Sequence, residues 1–204
     1  MATAISGAEL RRRGRPGYDQ DTLLRIAVEV FTERGFDGTS MEDLAQRLGI
    51  TKSAIYHHVD GKNHLLDLAL GRALDGLSAV VEQARALDGA AIERLEHLVR
   101  GSVRVLVAEQ PFVTLLLRVR GNSEVERRAL QRRRRFDRDV AALVDQAIAE
   151  GAVRPDIRPA VTARLLFGMV NSLIEWVKPQ PAADVDALAN EVCSVAFHGI
   201  RSQP

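Results

Sequence analysis

Apolar residues recur along this chain at three- and four-residue spacing, the mark of helices with one buried stripe. Sustained two-residue alternation, which a half-buried strand would show, is hard to find. The first stripe runs through Leu23, Ile26, Ala27, Val30 and Phe31 and stops at Gly35. In "DGTSMEDLAQRLG", Thr39-Ser40-Met41-Glu42 fits the capping box of a second, short helix that Gly49 closes. Thr51 caps a third over 52–58, and "DGK" breaks the chain before a long amphipathic helix over 62–87. The pattern then changes to long helices with short loops. These are 90–110, a shorter one begun at Pro111 and ending near Gly121, 123–150, an apolar one over 159–178, and 185–200. The prediction is an all-α chain, with a three-helix head over 18–62 followed by a larger helical body over 63–204. Residues 1–17 are small, polar and basic and read as a flexible arm.

Composition narrows the function. Aromatics make up only 4% of the 204 residues, and Leu, Ala, Val, Arg and Glu dominate, which suits helices. No run of about 18 apolar residues appears and the start lacks a signal-type segment, so a cytoplasmic chain with no membrane partner is expected. The lone Cys193 excludes an intramolecular disulfide and any multi-cysteine zinc site. A net charge of +1 conceals basic clusters at 11–15, 52–62 and 127–138.

The middle cluster holds "TKSAIYHHVDGK", with two adjacent histidines. On an ideal helix Ile55 and Val59 share the core face, Ser53 and His57 fall almost opposite, and His58 lies near the buried edge. The two rings therefore diverge and cannot share a metal or a proton, which would need a spacing of four. Lys52, Ser53, Tyr56 and His57 would form an exposed donor face behind a helix and a tight turn, the layout of a helix-turn-helix. Lys62, Thr39 and Ser40, at two other helix starts, suit phosphates. A plain solvated face on a capped helix is the competing reading. No nucleophile motif or phosphate-cradling glycine loop is present, so no catalytic residue, no metal site and no cofactor is expected.

In the body, the helix from Ser123 puts Val125, Ala129, Phe136, Val140, Leu143 and Ala147 on one stripe. Arg132 projects within about 40° of it and Arg133 within about 60°. An inward guanidinium needs a partner. Asp139 and Glu126 are candidates, giving internal ion pairs or a partly exposed helix edge; the alternative is an anion site at the mouth of an apolar pocket. Asn171 needs a hydrogen bond from the protein or a ligand. Trp176 shares a stripe with Leu165, Met169 and Leu173, which suits core packing or ligand contact.

"AVEVFTERGFDGTSMEDLAQRLGITKSAIYHHVDGKNHLLDLAL" resembles the DNA-binding head of the tetracycline-repressor (TetR) family. The shared features are Phe31, Gly35, Thr39-Ser40, "LAQRLGI", Tyr56 and Lys62-x-x-Leu65. The resemblance implies a homodimer whose recognition helices enter successive major grooves of a palindromic double-stranded operator. It also implies a ligand pocket in the body and dimerisation through the last two long helices. It assigns Lys52, Ser53, Tyr56 and His57 to the recognition-helix contacts and Thr39, Ser40 and Lys62 to phosphates, and Thr51, the cap of that helix, joins the DNA-binding set. Arg12, Arg13 and Arg15 resemble an arm laid in the minor groove.

"RRRRFDRDVAALVDQAIAEGAVRPDIRPAVTARLLFGMVNSLIEWVKP" is similar to members that regulate fatty-acid, sterol and phenylacetate catabolism. That likeness implies an acyl-CoA or aryl-CoA thioester as effector. The ligand candidates are Phe112, Leu116, Arg132, Arg133, Phe136, Asn171 and Trp176. The expected function is a transcriptional regulator, a repressor released by a small hydrophobic effector. Two alternatives stand beside it: the same fold sensing a non-CoA compound or drug to control efflux, and a helical protein that binds anions without sequence preference.

Overall fold

The computed structural model of the chain describes residues 19–178 and 181–200, and no strand occurs among them. Helices α1 (Gln20–Arg34), α2 (Met41–Leu48) and α3 (Lys52–Tyr56) form the head. Helix α4 (Lys62–Ala86) leads into the body, built from α5 (Ala91–Ala108), α6 (Gln110–Arg118), α7 (Glu124–Ala149), α8 (Pro159–Ser172) and α9 (Ala182–His198). A 3-10 turn, Leu173–Glu175, follows α8. The all-α expectation holds.

Local chemistry sets the boundaries. Asp19 accepts the Thr22 amide at the start of α1 (2.7 Å), and Ser123 does the same for Glu126 at the start of α7 (3.1 Å). The capping box of α2 lies one residue later than expected. Ser40 Oγ accepts the Asp43 amide at 3.1 Å, and Asp43 Oδ2 takes the Ser40 amide at 2.8 Å. Thr39 is buried behind this cap, with its hydroxyl donated to the Gly35 carbonyl (2.7 Å). Gly49 closes α2 in the left-handed region, φ 66°, where a side chain would be strained.

Helix α4 packs on α1, α5, α6 and α7. Its antiparallel seam with α5 is unusually close. A β-carbon on Gly76 would stand 2.9 Å from Val105 Cγ1, and one on Gly101 would stand 2.5 Å from Val80 Cγ1. Each helix thus offers a glycine to the other's valine, and side-chain size at the contact sets the distance between axes. The apolar periodicity carries no sign of this pairing. Buried side chains form one cluster from Leu23 in α1 to Cys193 in α9.

The expected helix over 159–178 ends early. Ser172 Oγ donates back to the Met169 carbonyl at 2.7 Å, and the chain tightens into the 3-10 turn. The expected stripe of Leu165, Met169, Leu173 and Trp176 is therefore broken. Helix α8 buries Ala163, Leu166, Phe167 and Val170 instead, while Leu165 is 69% exposed and Trp176 61%. Trp176 therefore does not belong to the core.

Gly101→Ala should cost about 1–3 kcal/mol by overpacking the α4–α5 seam. Urea unfolding reads this directly; an unchanged midpoint would show that the seam opens without strain.

Candidate nucleic-acid interface and ligand cavity

Helix α3 is five residues long, with Thr51 Oγ1 accepting the Ala54 amide at 3.2 Å. A hydroxyl that accepts in this way keeps its proton free for a phosphate. Ile55 and Val59 are buried, whereas Lys52, Ser53, Tyr56 and His57 are exposed. Residues 52 and 56, and 53 and 57, are each one helical turn apart, so the four candidates share an outward surface. His58 is exposed as well, not at the buried edge, because it follows the αR cap His57 at the end of α3 and only Val59 beyond it turns into the core. Lys52 forms an ion pair with Glu42 of α2, which raises its pKa and lowers that of Glu42, chiefly through the hydrogen bond between them.

Three candidates for phosphate contact are engaged within the head. Thr39 is buried and its hydroxyl is spent on Gly35, which removes it from the surface. The Ser40 hydroxyl donates to Asp43 Oδ2 at 2.6 Å, so a phosphate would gain it only by opening the capping box. Lys62 is half-buried, and its ammonium donates to the carbonyls of Phe36 and Thr39, both at 2.8 Å, over the Phe36 ring. Lys62 thereby fastens the α1–α2 turn to the start of α4. Arg12, Arg13 and Arg15 lie outside the described residues.

The body arginines divide differently from the expectation. Arg132 does not point inward: its side chain is 43% exposed and pairs with Asp75 of α4 at 2.5 Å. Its stem runs along the helix seam and carries the charge to water. The partners foreseen for it are committed elsewhere. Asp139 pairs with Arg85 (2.7 Å), and buried Glu126 accepts the amides of Arg120, Gly121 and Asn122 at 3.1, 2.7 and 2.9 Å.

A cavity of about 480 Å³ opens between α4, α6, α7 and α8. Val113, Leu116 and Leu117 of α6 form one wall, and Phe136 and Phe167 another, their rings edge to face at 4.7 Å. Arg133 is half-buried, and Arg134 and Arg164 are exposed, so the three guanidinium groups stand at its opening. None of them forms an ion pair among the described residues. One carboxylate, Asp137, shares that opening. Of the predicted ligand residues, Leu116, Arg133, Phe136 and Asn171 meet here. Arg132 and Trp176 do not, and Phe112 is sealed in the core beyond the α6 wall. Sequence reasoning missed Arg134, which lies further from the apolar stripe of α7 than Arg133, and Arg164 and Phe167, whose only signal was a place in the apolar α8 segment.

Residues 23–69 match the family described as bacterial regulatory proteins, tetR family, and residues 88–200 match the tetracyclin repressor-like C-terminal domain. The chain is similar to the HTH-type transcriptional repressor KstR2 of Rhodococcus jostii (strain RHA1), 27% identical over 190 residues, 88% of this chain and 90% of that protein. It is also similar to the crystal structure of SCO3833, a TetR-family regulator from Streptomyces coelicolor A3. The TM-score is 0.85 at 50% identity, covering 95% of this chain and 98% of that one. AibR, solved in complex with isovaleryl coenzyme A and operator DNA, shares the fold with a TM-score of 0.72 at 23% identity over 87% of this chain and 97% of that one.

Two measurements test the head. Lys62→Met should lower its stability by about 1.5–3 kcal/mol, because two carbonyls lose a charged donor. An unchanged melting temperature without DNA would return Lys62 to phosphate binding alone. Accepting from the hydroxyl and then the amide of Ser40 holds the Asp43 carboxyl below the usual carboxylate range. Its contribution is complete above the ordinary value and lost as pH falls through the depressed one. Amide exchange in α2 should accelerate there in the wild type and show no such step in Asp43→Asn.

Proposed function

Since the chain belongs to the tetR family of bacterial regulatory proteins, we propose that it is a repressor that binds a palindromic operator as a homodimer and is released by an acyl-CoA or aryl-CoA thioester. In this reading 18–62 is the DNA-binding part, 63–204 binds effector and partner, and the protein works in the cytoplasm. Lys52, Ser53, Tyr56 and His57 read base edges, with Thr51 and the start of α2 on phosphates. The exposed apolar residues Leu165 of α8 and Val195 of α9, with Trp176 just past the 3-10 turn, support dimerisation through these helices.

The observation that carries the effector is the cavity, with apolar walls and three guanidinium groups against one carboxylate at its opening. Such an opening suits a phosphate-bearing head, and the walls suit an acyl or aryl tail. KstR2 is a repressor, and AibR was solved with a CoA thioester and operator DNA, which supports these two as the classes of ligand for this fold. The proposed mechanism is a population shift. Half-sites roughly 34 Å apart demand one spacing of the recognition helices, and an occupied cavity favours another.

Fluorescence anisotropy on DNA from upstream of this protein's own gene provides the test. Release by one thioester but not its free acid would support both operator and anion site. Release by an uncharged hydrophobic compound alone would remove the thioester. Tyr56→Ala should weaken operator binding by about 1–3 kcal/mol, and wild-type affinity there would overturn the recognition face. Arg133→Ala and Arg164→Ala should leave operator affinity intact and raise the thioester concentration needed for release roughly tenfold or more. Arg132→Ala, paired with Asp75 away from the cavity, should leave the response unchanged.

A further inference from the structure

Phe112 is the largest fully buried side chain among the described residues. It lies in α6, next to Val113 and one turn from Leu116 and Leu117, which wall the cavity. Two guanidinium groups approach its ring: Arg72 of α4 at 4.5 Å from the centroid and Arg25 of α1 at 5.6 Å. Arg72 grips Glu109, just ahead of α6, through Nε to Oε2 at 2.6 Å and Nη2 to Oε1 at 3.0 Å. It also pairs with Asp21 of α1, which is itself paired with Arg25 at 2.9 Å. At the other end of α6, Arg118 donates to the Thr32 carbonyl of α1 at 3.2 Å.

Helix α6 therefore meets the head at both ends and the cavity along its length. Nine residues long, it holds too little chain to absorb a displacement between these contacts. The Arg72–Glu109 pair is the shielded one, with side chains 27% and 23% exposed, so it is screened less than the surface pairs. Only arginine suits the position. Its planar fork donates one N–H to Glu109 and another to Asp21, keeps Nε in ionic contact with the second Glu109 oxygen, and stacks over Phe112; a lysine ammonium could not hold all of these. The Asp21 carboxyl is kept below its usual range by hydrogen bonds from Arg25 and Arg72, which agrees with a standing pair.

We propose that Arg72 is a positioning residue that couples the cavity to the DNA-binding head, clasping α6 to α1 through Glu109, Asp21 and Phe112. Displacing α6 from the cavity side then moves α1, and cutting the clasp leaves both binding functions intact but disconnected. The effector half of this proposal rests on the function inferred above.

The test uses the full-length chain and Arg72→Gln, Glu109→Gln and Arg72→Lys. Without any ligand, hydrogen exchange of α1 and α6 amides should accelerate roughly tenfold in Arg72→Gln and Glu109→Gln, with α7 and α9 unchanged. Unchanged exchange in α1 and α6, or a uniform rise across every helix, would overturn the clasp. In anisotropy, coupling between thioester and operator should fall from the usual range of about 5–150-fold towards unity, at unaltered affinity for the thioester. Arg72→Lys should recover part of it. Release at wild-type strength in Arg72→Gln would overturn the proposal. If no thioester releases the wild-type complex, the effector reading fails alone, and the exchange measurement still decides the clasp.

Discussion

Helix α4 belongs to the head and the body at once, running unbroken from Lys62 to Ala86. Lys62 holds its first turn to the carbonyls of Phe36 and Thr39. Its middle is locked to α5 where Gly76 meets Val105 and Gly101 meets Val80. Along its flank run three ion pairs with α7: Asp67 with Arg128 at 3.2 Å, Asp75 with Arg132 at 2.5 Å, and Arg85 with Asp139 at 2.7 Å. Half-exposed pairs of this kind contribute little individually. Together they fix the register of the two longest helices, and a closely packed seam transmits displacement rather than absorbing it.

That constraint explains how the arginines of α7 divide. Neighbours on a helix differ by about 100° in direction. Arg128 and Arg132, four apart, face the acids of α4, while Arg133 and Arg134 fall on the side of the cavity. Phe136 lies between, packed on Phe167, and Arg164 closes the opening from α8. One run of basic residues thus divides in two, paired with α4 on one side and without an ion pair among the described residues on the side of the cavity.

The sequence was most informative where one element answers to its own residues. Gly49, the buried pair Ile55 and Val59, and the outward face of Lys52, Ser53, Tyr56 and His57 follow from spacing alone. Adjacent cap candidates defeated it, since Thr39 and Ser40 are both competent and burial of Thr39 decided for Ser40. Arg132 defeated it as well, because angular distance from a stripe does not reveal which neighbouring helix supplies the acid.

The sequence by itself determined the helical class, the order of the helices and the exposed face of α3, because these depend on contacts within a few residues. Tertiary structure alone decided that Lys62 and Thr39 work inside the head, that Trp176 is left out of the chain's own core, and that Arg133, Arg134 and Arg164 converge on one opening. Each of these depends on where distant helices cross, and helix crossings are set by side-chain size and shape at contacts that no local periodicity encodes.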